Sequence, residues 1–519
     1  MNLSIPYKTL IFLFIGLLCL SACKQEKKRF EKVPPSRSGI TFVNTIQEDE
    51  RHNMIDYSYC YNGGGVGVGD LNNDGLTDIV LTGNQVSSRV YLNKGNLTFE
   101  DITEKAGLTT QGWCTGVTLA DVNADGWLDI YICRAGNYPP EQRRNLLFIN
   151  EGSPSTPPHR GETFSPLPNG EGPGVGFTEK AAEYGIADTG WSTQAAFFDY
   201  DKDGDLDLYI LNATNEDRQP NRIKPKVLDG NSPANDHFYR NDNGKFTEIH
   251  TDAGILDDGW GLGISVNDFN NDGWEDLYIS NDFLANDLLY LNNRNGAFVE
   301  KSKEYMGHTS HFSMGNDAAD YNNDGWADIF VADMMPSTHQ QRKKMVGVLS
   351  NEAFDMVLAN GYTPQYMRNT LQLNRGVDAA GKLFFSEIGQ MAGAYATDWS
   401  WSPLLADFDN DGHCDLFITN GYRHDITDMD FIAYNSMLSQ QGNAAAVDQT
   451  IRDLARKQPP YHTANRFFRN TGTLQFDDVT GSWSDSLPSF SNGAAYADLD
   501  NDGDLDLVTN NIDEPATLY

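Results

Sequence analysis

The stretch GDLNNDGLTDIVLTGN, Gly69 to Asn84, sets Asp70, Asn72, Asp74 and Asp78 two, two and four residues apart and then enters an apolar, β-branched run. The same D-x-[DN]-x-D-G-x-x-D spacing recurs so that seven copies open at Asp70, Asp121, Asp199, Asp268, Asp320, Asp407 and Asp498. Each closing Asp leads into an apolar segment such as IYIC, LYIL, LYIS, IFVA or LFIT, short and β-rich enough to read as a buried strand. A motif repeated at intervals along nearly the whole chain reports architecture before it reports chemistry.

Around the first copy the order is GVGVGD, acidic loop, DIVLTG, RVYLNK and TFEDIT, which is four short strands. The third and fourth strands return as LLFIN with GFTEKA, HFYRN with KFTEIH, LLYLN with AFVEKS, TLQLN with LFFSEI, and RFFRN with QFDDVT. The expected fold is therefore all-β, a seven-bladed β-propeller of four-stranded blades over residues 39–519, with partly helical inserted loops. The seventh copy supplies only the beginning of a third strand, ATLY, while GITFVNT (Gly39 to Thr45) reads as an unpaired outer strand at the other end. Seating it beside the last third strand closes the ring and removes the exposed edge. The stop at Tyr519 inside a strand pattern suggests the front part of something longer.

Consecutive antiparallel strands put all seven acidic loops on one face of the disc. Insertions near 213–235, 333–366 and 421–464 fall between second and third strands and must crowd the other face; MDFIAYNSML and VDQTIRDLARK look helical. A Pro- and Gly-dense segment, 151–174, reads as an exposed loop between a third and a fourth strand.

Clustered carboxylates repel one another unless a cation neutralises them, and Ca²⁺ takes six to eight oxygens. Side chains at positions 1, 3, 5 and 9 and the carbonyl at position 7 supply them. The candidate ligands are Asp70, Asn72, Asp74, Leu76 and Asp78 in the first copy, then Asp121, Asn123, Asp125, Trp127 and Asp129 in the second. The third has Asp199, Asp201, Asp203, Asp205 and Asp207, and the fourth Asp268, Asn270, Asp272, Trp274 and Asp276. Asp320, Asn322, Asp324, Trp326 and Asp328 follow, then Asp407, Asp409, Asp411, His413 and Asp415, and finally Asp498, Asp500, Asp502, Asp504 and Asp506. Glycine holds position 6 in every copy, where the loop turns sharply. An EF-hand would need Glu at position 12, where Leu81 and Ile132 stand. Mg²⁺ suits the pattern less well because it keeps water, and a series of Asx turns is the purely structural alternative. Up to seven structural Ca²⁺ ions are expected, with no catalytic role.

These loops resemble FG-GAP (VCBS-type) repeats, found in integrin α propellers and in many exported bacterial proteins. GGGVGVGDLNNDGLTDIVLTGN, YMRNTLQLN, TDWSWSPLLADFDNDGHCDLFITNGYRHDITDMDF and SGITFVNT further resemble the propeller part of bacterial ASPIC/UnbV-domain proteins, relatives of cartilage acidic protein. The resemblance implies a calcium-binding, secreted or surface-attached propeller; the ASPIC/UnbV segment itself is not in this sequence.

The amino terminus carries Lys8, then LIFLFIGLLCL, too short to span a bilayer and suited to a signal peptide (residues 1–22). Leu20-Ser21-Ala22-Cys23 resembles the lipobox of bacterial lipoproteins, which implies lipidation at Cys23 and residence at the outer membrane of a Gram-negative bacterium or on its surface. Residues 23–38 read as a polar tether. Thirty-eight Lys and Arg against 73 Asp and Glu give a net charge of −35, which disfavours nucleic acid as a partner. Export permits disulfides, and Cys114 and Cys133 flank the second loop on neighbouring strands.

Six copies place an aromatic eight residues before the first Asp: Trp113, Trp191, Trp260, Phe312, Trp399 and Phe490, with Asn62 in the remaining one. They read as packing between blades or, with Trp401, as a ligand face of stacking platforms. Arg218, Arg222, Arg342, Lys343 and Lys344 lie in the insertions. His308 and His311 have a two-histidine spacing without further zinc ligands nearby, and no H-E-x-x-H, G-x-S-x-G or P-loop occurs. The expected function is an exported adhesion or binding module for a protein or glycan. The alternatives are a polysaccharide lyase or glycosidase and an accessory subunit of a nutrient-uptake complex.

Overall fold

A computed structural model describes residues 28–152, 175–214, 222–345, 350–439, 444–485 and 487–519. The expected signal peptide, Cys23, Arg218 and nearly all of the 151–174 loop lie outside them. The chain forms seven antiparallel blades in a propeller. Blade 1 pairs Val66–Gly69, Asp78–Leu81, Arg89–Asn93 and Phe99–Asp101 in sequence order. The next five blades repeat that order within residues 113–179, 191–248, 261–300, 316–387 and 400–478.

Blade 7 draws three strands from Ser491–Ala497, Asp506–Asn511 and Thr517–Leu518. Its fourth comes from the other end of the chain. Val43 bridges Pro515 in antiparallel register, and Ala516 N donates to Phe42 O at 2.9 Å. The ring closes as the sequence suggests, by mixing both ends in one blade. The expected tether is a different matter. From Phe30 onward the segment packs on the body, with Phe30 stacked on Phe467 at 4.7 Å and Val33 bridging Leu518. Phe30 and Val33 are both buried, so what reads as a polar linker carries two apolar anchors.

Second strands are buried along nearly their whole length, Arg134 and Asp506 being the half-buried exceptions, because alternate residues face different neighbours. Ile130 and Ile132 enter the seam with blade 1, Tyr131 and Cys133 the seam with blade 3. Each of the seven seams holds one apolar cluster, and an eighth, larger one covers the insertion face. This alternation rules out the Cys114–Cys133 disulfide. Cys114 faces blade 1 and Cys133 faces blade 3 across the same sheet, and both are free thiols. Near the axis the first strands approach so closely that a Cβ on Gly116 would lie 2.6 Å from the Thr193 carbonyl of the next blade, which requires glycine there.

Candidate functional site

Every acidic loop has the same backbone. Position 4 is left-handed, from φ 52° at Asn271 to 62° at Lys202, and the position-6 glycine sits between 84° at Gly75 and 94° at Gly204. Asp70 shows what the first position does: its carboxylate accepts Asp74 N at 3.1 Å and Gly75 N at 2.8 Å, bending the chain around its own oxygens. The position-9 Asp is buried in the first six loops and clamps three elements. Asp78 accepts Leu71 N from its own loop and Asn93 N from the third strand, both at 2.8 Å. The same pair of bonds forms at Asp129, Asp207, Asp276, Asp328 and Asp415.

That clamp lies in an uncomfortable electrostatic setting. Burial pushes the Asp78 carboxyl up to about 7; the two N–H donors oppose the shift, and the Asp74 and Asp70 charges add to it. Asp276 is pushed up to about 8 for the same reasons. In three loops, Asp199 with Asp201 and Asp203, Asp407 with Asp409 and Asp415, and Asp498 with Asp500 and Asp506, one oxygen from each residue lies within 4.8 Å of the others. The position-3 oxygens Asp201 Oδ1, Asn270 Oδ1 and Asp409 Oδ1 are buried without a hydrogen-bond partner. This donor set of crowded, partly unsatisfied oxygens fits a hard cation. The sixth loop also has a protein counter-charge: Arg469 reaches Asp409 and Asp411, each at 2.9 Å. Arg294 similarly holds Asp272 at 2.7 Å in the fourth.

Two rings of side-chain bonds join the loops around the disc, and the sequence reading missed both. Position-4 asparagines donate to the position-6 carbonyl of the next blade: Asn73 to Gly126, Asn271 to Gly325, Asn323 to Gly412, Asn410 to Gly503 and Asn501 to Gly75, between 2.9 and 3.3 Å. The third-strand asparagine of blades 1, 2, 4, 5 and 6 reaches back to the preceding blade, as Asn93 does to Leu499 O at 2.7 Å and Asn150 to Leu71 O at 2.8 Å. The only advance signal is the recurrent Asn itself in YLN, FIN, QLN and FRN. Blades 2 and 3 lack the first link because Ala124 stands at position 4. Between blades 3 and 4 Lys202 replaces the asparagine and lies 4.6 Å over the Trp274 ring.

The opposite face gathers all six spaced aromatics into one cluster, covered by residues 46–61. Trp113 stacks on His52 at 5.0 Å, Trp191 carries the Arg143 guanidinium at 3.5 Å, and Trp399 lies parallel to Tyr422 at 3.8 Å. Trp113, Trp260, Trp399 and Trp401 are buried, so their faces are engaged by the protein's own side chains. Arg342 donates to Pro336 O and Ser337 O and secures the insertion, whereas Arg222, Lys343 and Lys344 are exposed. His308 contacts Glu387 and Arg368, while His311 is buried and pushed down to about 4, so the two do not form a metal pair.

Between the insertions of blades 5 and 6, the loop after Asn281 and the covering segment lies a cavity of about 300 Å³. Five methionines line it, Met54, Met314, Met334, Met345 and Met367, with the rings of Tyr59, Phe283, Phe312, Trp399, Trp401 and Tyr422 and the carboxylate of Asp282.

Fold and loops together define a propeller with aspartate-rich hairpins. Residues 70–132 and 268–331 match the FG-GAP-like repeat family, so FG-GAP-like repeats are shown in those two stretches of the propeller. Cartilage acidic protein 1 of Xenopus tropicalis is 28% identical over 222 residues, which are 42% of this chain and 29% of that protein; the chain thus spans under a third of its relative. Among solved structures, an Agrocybe aegerita lectin described as recognising non-reducing terminal N-acetylglucosamine is 15% identical with a TM-score of 0.38, covering 82% of this chain and 84% of that one. BBS1N, crystallised with ARL6DN, is 8% identical with a TM-score of 0.40, covering 93% and 97%.

Proposed function

We propose that this protein is an exported, lipid-anchored, calcium-binding propeller that serves as a binding or adhesion module, holding a protein or glycan on its insertion face. Ca²⁺ in the loops supplies the positive charge that the crowded carboxylates lack. Asp70, Asn72, Asp74 and Asp78, with the Leu76 carbonyl, would hold it in the first blade, and their counterparts elsewhere. The observation that carries the calcium reading is the set of buried, unpartnered position-3 oxygens at Asp201, Asn270 and Asp409, each within an acidic loop. Division of labour between the faces supports the binding reading: one face is uniform and tied from blade to blade, the other is built of insertions that differ between blades. Lipidation at Cys23 would keep the module at the outer membrane.

The test pairs the intact chain with one in which residues 421–464 are replaced by a short Gly-Ser linker. Both are applied to glycan arrays and to cross-linking on the native cell surface, with calcium present. Capture by the intact chain and its loss in the trimmed one is the expected result. Release of new reducing ends or unsaturated products from a polysaccharide panel would instead make the protein an enzyme.

A further inference from the structure

The cavity on the insertion face holds an electrostatic problem that the rest of the molecule does not solve. Asp282 is 4% exposed; its carboxylate accepts from Phe283 N at 2.7 Å and lies beside the Tyr59 hydroxyl. Among the described residues no Lys, Arg or His pairs with it. Asp333, the neighbouring buried carboxylate, takes the Ser310 hydroxyl and the N–H groups of His311, Phe312, Met334 and Arg368. Asp282 is thus the under-satisfied member of the two, and it faces a cavity rather than packed protein. A buried carboxyl in this state keeps a proton or takes a cation, and burial pushes Asp282 up to about 8.

The wall decides which kind. Most of it is thioether, ring and aliphatic side chain, with Ser58, Asn62 and Thr427 as further polar groups, so a hard metal ion would find a single carboxylate there. Six aromatic rings line the cavity, among them Trp399, Tyr422 and Trp401, which pack on one another with centroids 3.8 and 6.0 Å apart, and so ring-rich a wall favours an onium ion over a hydrated metal ion. Methionine thioethers accommodate methyl groups and adapt to their shape. Two further groups on the wall are buried, the Tyr59 hydroxyl, which lies toward Asp282, and Trp399 Nε1, which has no partner. Trp399 Nε1 can donate to an acceptor atom on the ligand.

We propose that this cavity binds a small methylated ammonium compound bearing one hydrogen-bond acceptor. Asp282 balances its charge, the aromatic and methionine side chains of the wall surround the onium group, and Trp399 Nε1 meets the acceptor. The site is separate from the acidic loops and does not depend on which cation they hold.

Choline is the probe, and 3,3-dimethylbutan-1-ol, the same shape with carbon in place of charged nitrogen, is the control. Both are titrated into the full chain at constant ionic strength with calcium present, followed by tryptophan fluorescence and calorimetry. Choline is expected to bind at least about tenfold more tightly than the neutral alcohol, because the charge accounts for most of the recognition. Asp282→Asn should reduce choline affinity at least about tenfold while leaving the melting temperature within a few degrees of wild type. Equal binding of the two compounds, undiminished binding by Asp282→Asn, or no choline binding at about 10 mM overturns the assignment. Should Asp282→Asn not fold, the comparison of the two compounds on the unaltered chain decides alone. Failure here with retained capture of a macromolecule would leave the adhesion reading intact.

Discussion

Gly325 sits at φ 88° with no atom within 4 Å of the place a Cβ would occupy, so backbone conformation alone selects glycine there. Gly325→Ala should destabilise by about 1–2 kcal/mol, the strain of forcing an L-residue into that region. Urea denaturation reads this as a lowered midpoint with an unchanged slope; a shifted slope would mean the loop does more than turn. Asp236 makes a prediction about pH. Burial pushes its carboxyl from 3.8 up to about 7, against the pull of Asn212 N and the Tyr209 hydroxyl. The folded state therefore keeps a proton that the unfolded chain releases near 3.8. Its contribution to stability is fully present below that value and lost as pH rises through about 7. Between pH 5 and 8 the denaturation midpoint of wild type should fall more than that of Asp236→Asn, both measured in chelator. Parallel curves would refute the assignment.

At the scale of elements, the join between the two ends of the chain is the exposed weakness of the ring. Phe42 is buried in the seam of blades 7 and 1, beside Leu499, Val508 and Leu518. Phe42→Ala should cost about 3–5 kcal/mol, typical of truncating a buried ring. Limited proteolysis should then cut blade 7 first; unchanged protection there would show that the latch is dispensable. GITFVNT was legible as a strand because its apolar residues alternate. Phe30 and Val33 were not, since two apolar residues amid Lys, Glu and Pro carry no periodicity. Whether Cys114 and Cys133 pair was open in the sequence for a related reason: spacing along the chain does not say which face of a blade a side chain takes.

For the whole molecule, two rings of asparagine bonds and the acidic loops act on the same face, so removing the loop cations should loosen seams as well as hairpins. Chelation is expected to lower the melting temperature by at least about 5 °C, by simple linkage of cation binding to the folded state. Metal analysis of the dialysed protein should find several Ca²⁺ per chain. An unmoved transition, or fewer than about two ions per chain, would return the loops to Asx turns stitched by their own backbone bonds.

Seven repeats of one acidic spacing, each entering an apolar run, were enough to determine blade number, strand order, loop faces and ring closure, because those follow from local periodicity copied along the chain. Position 9 was legible as an acid but not as a clamp, since its second partner, Asn93 for Asp78, arrives from another strand. The tertiary structure alone decided the cover over the six aromatics, the blade-to-blade asparagine bonds and the cavity around Asp282. Each joins residues tens to hundreds of positions apart, and only the packed ring brings them within reach of one another.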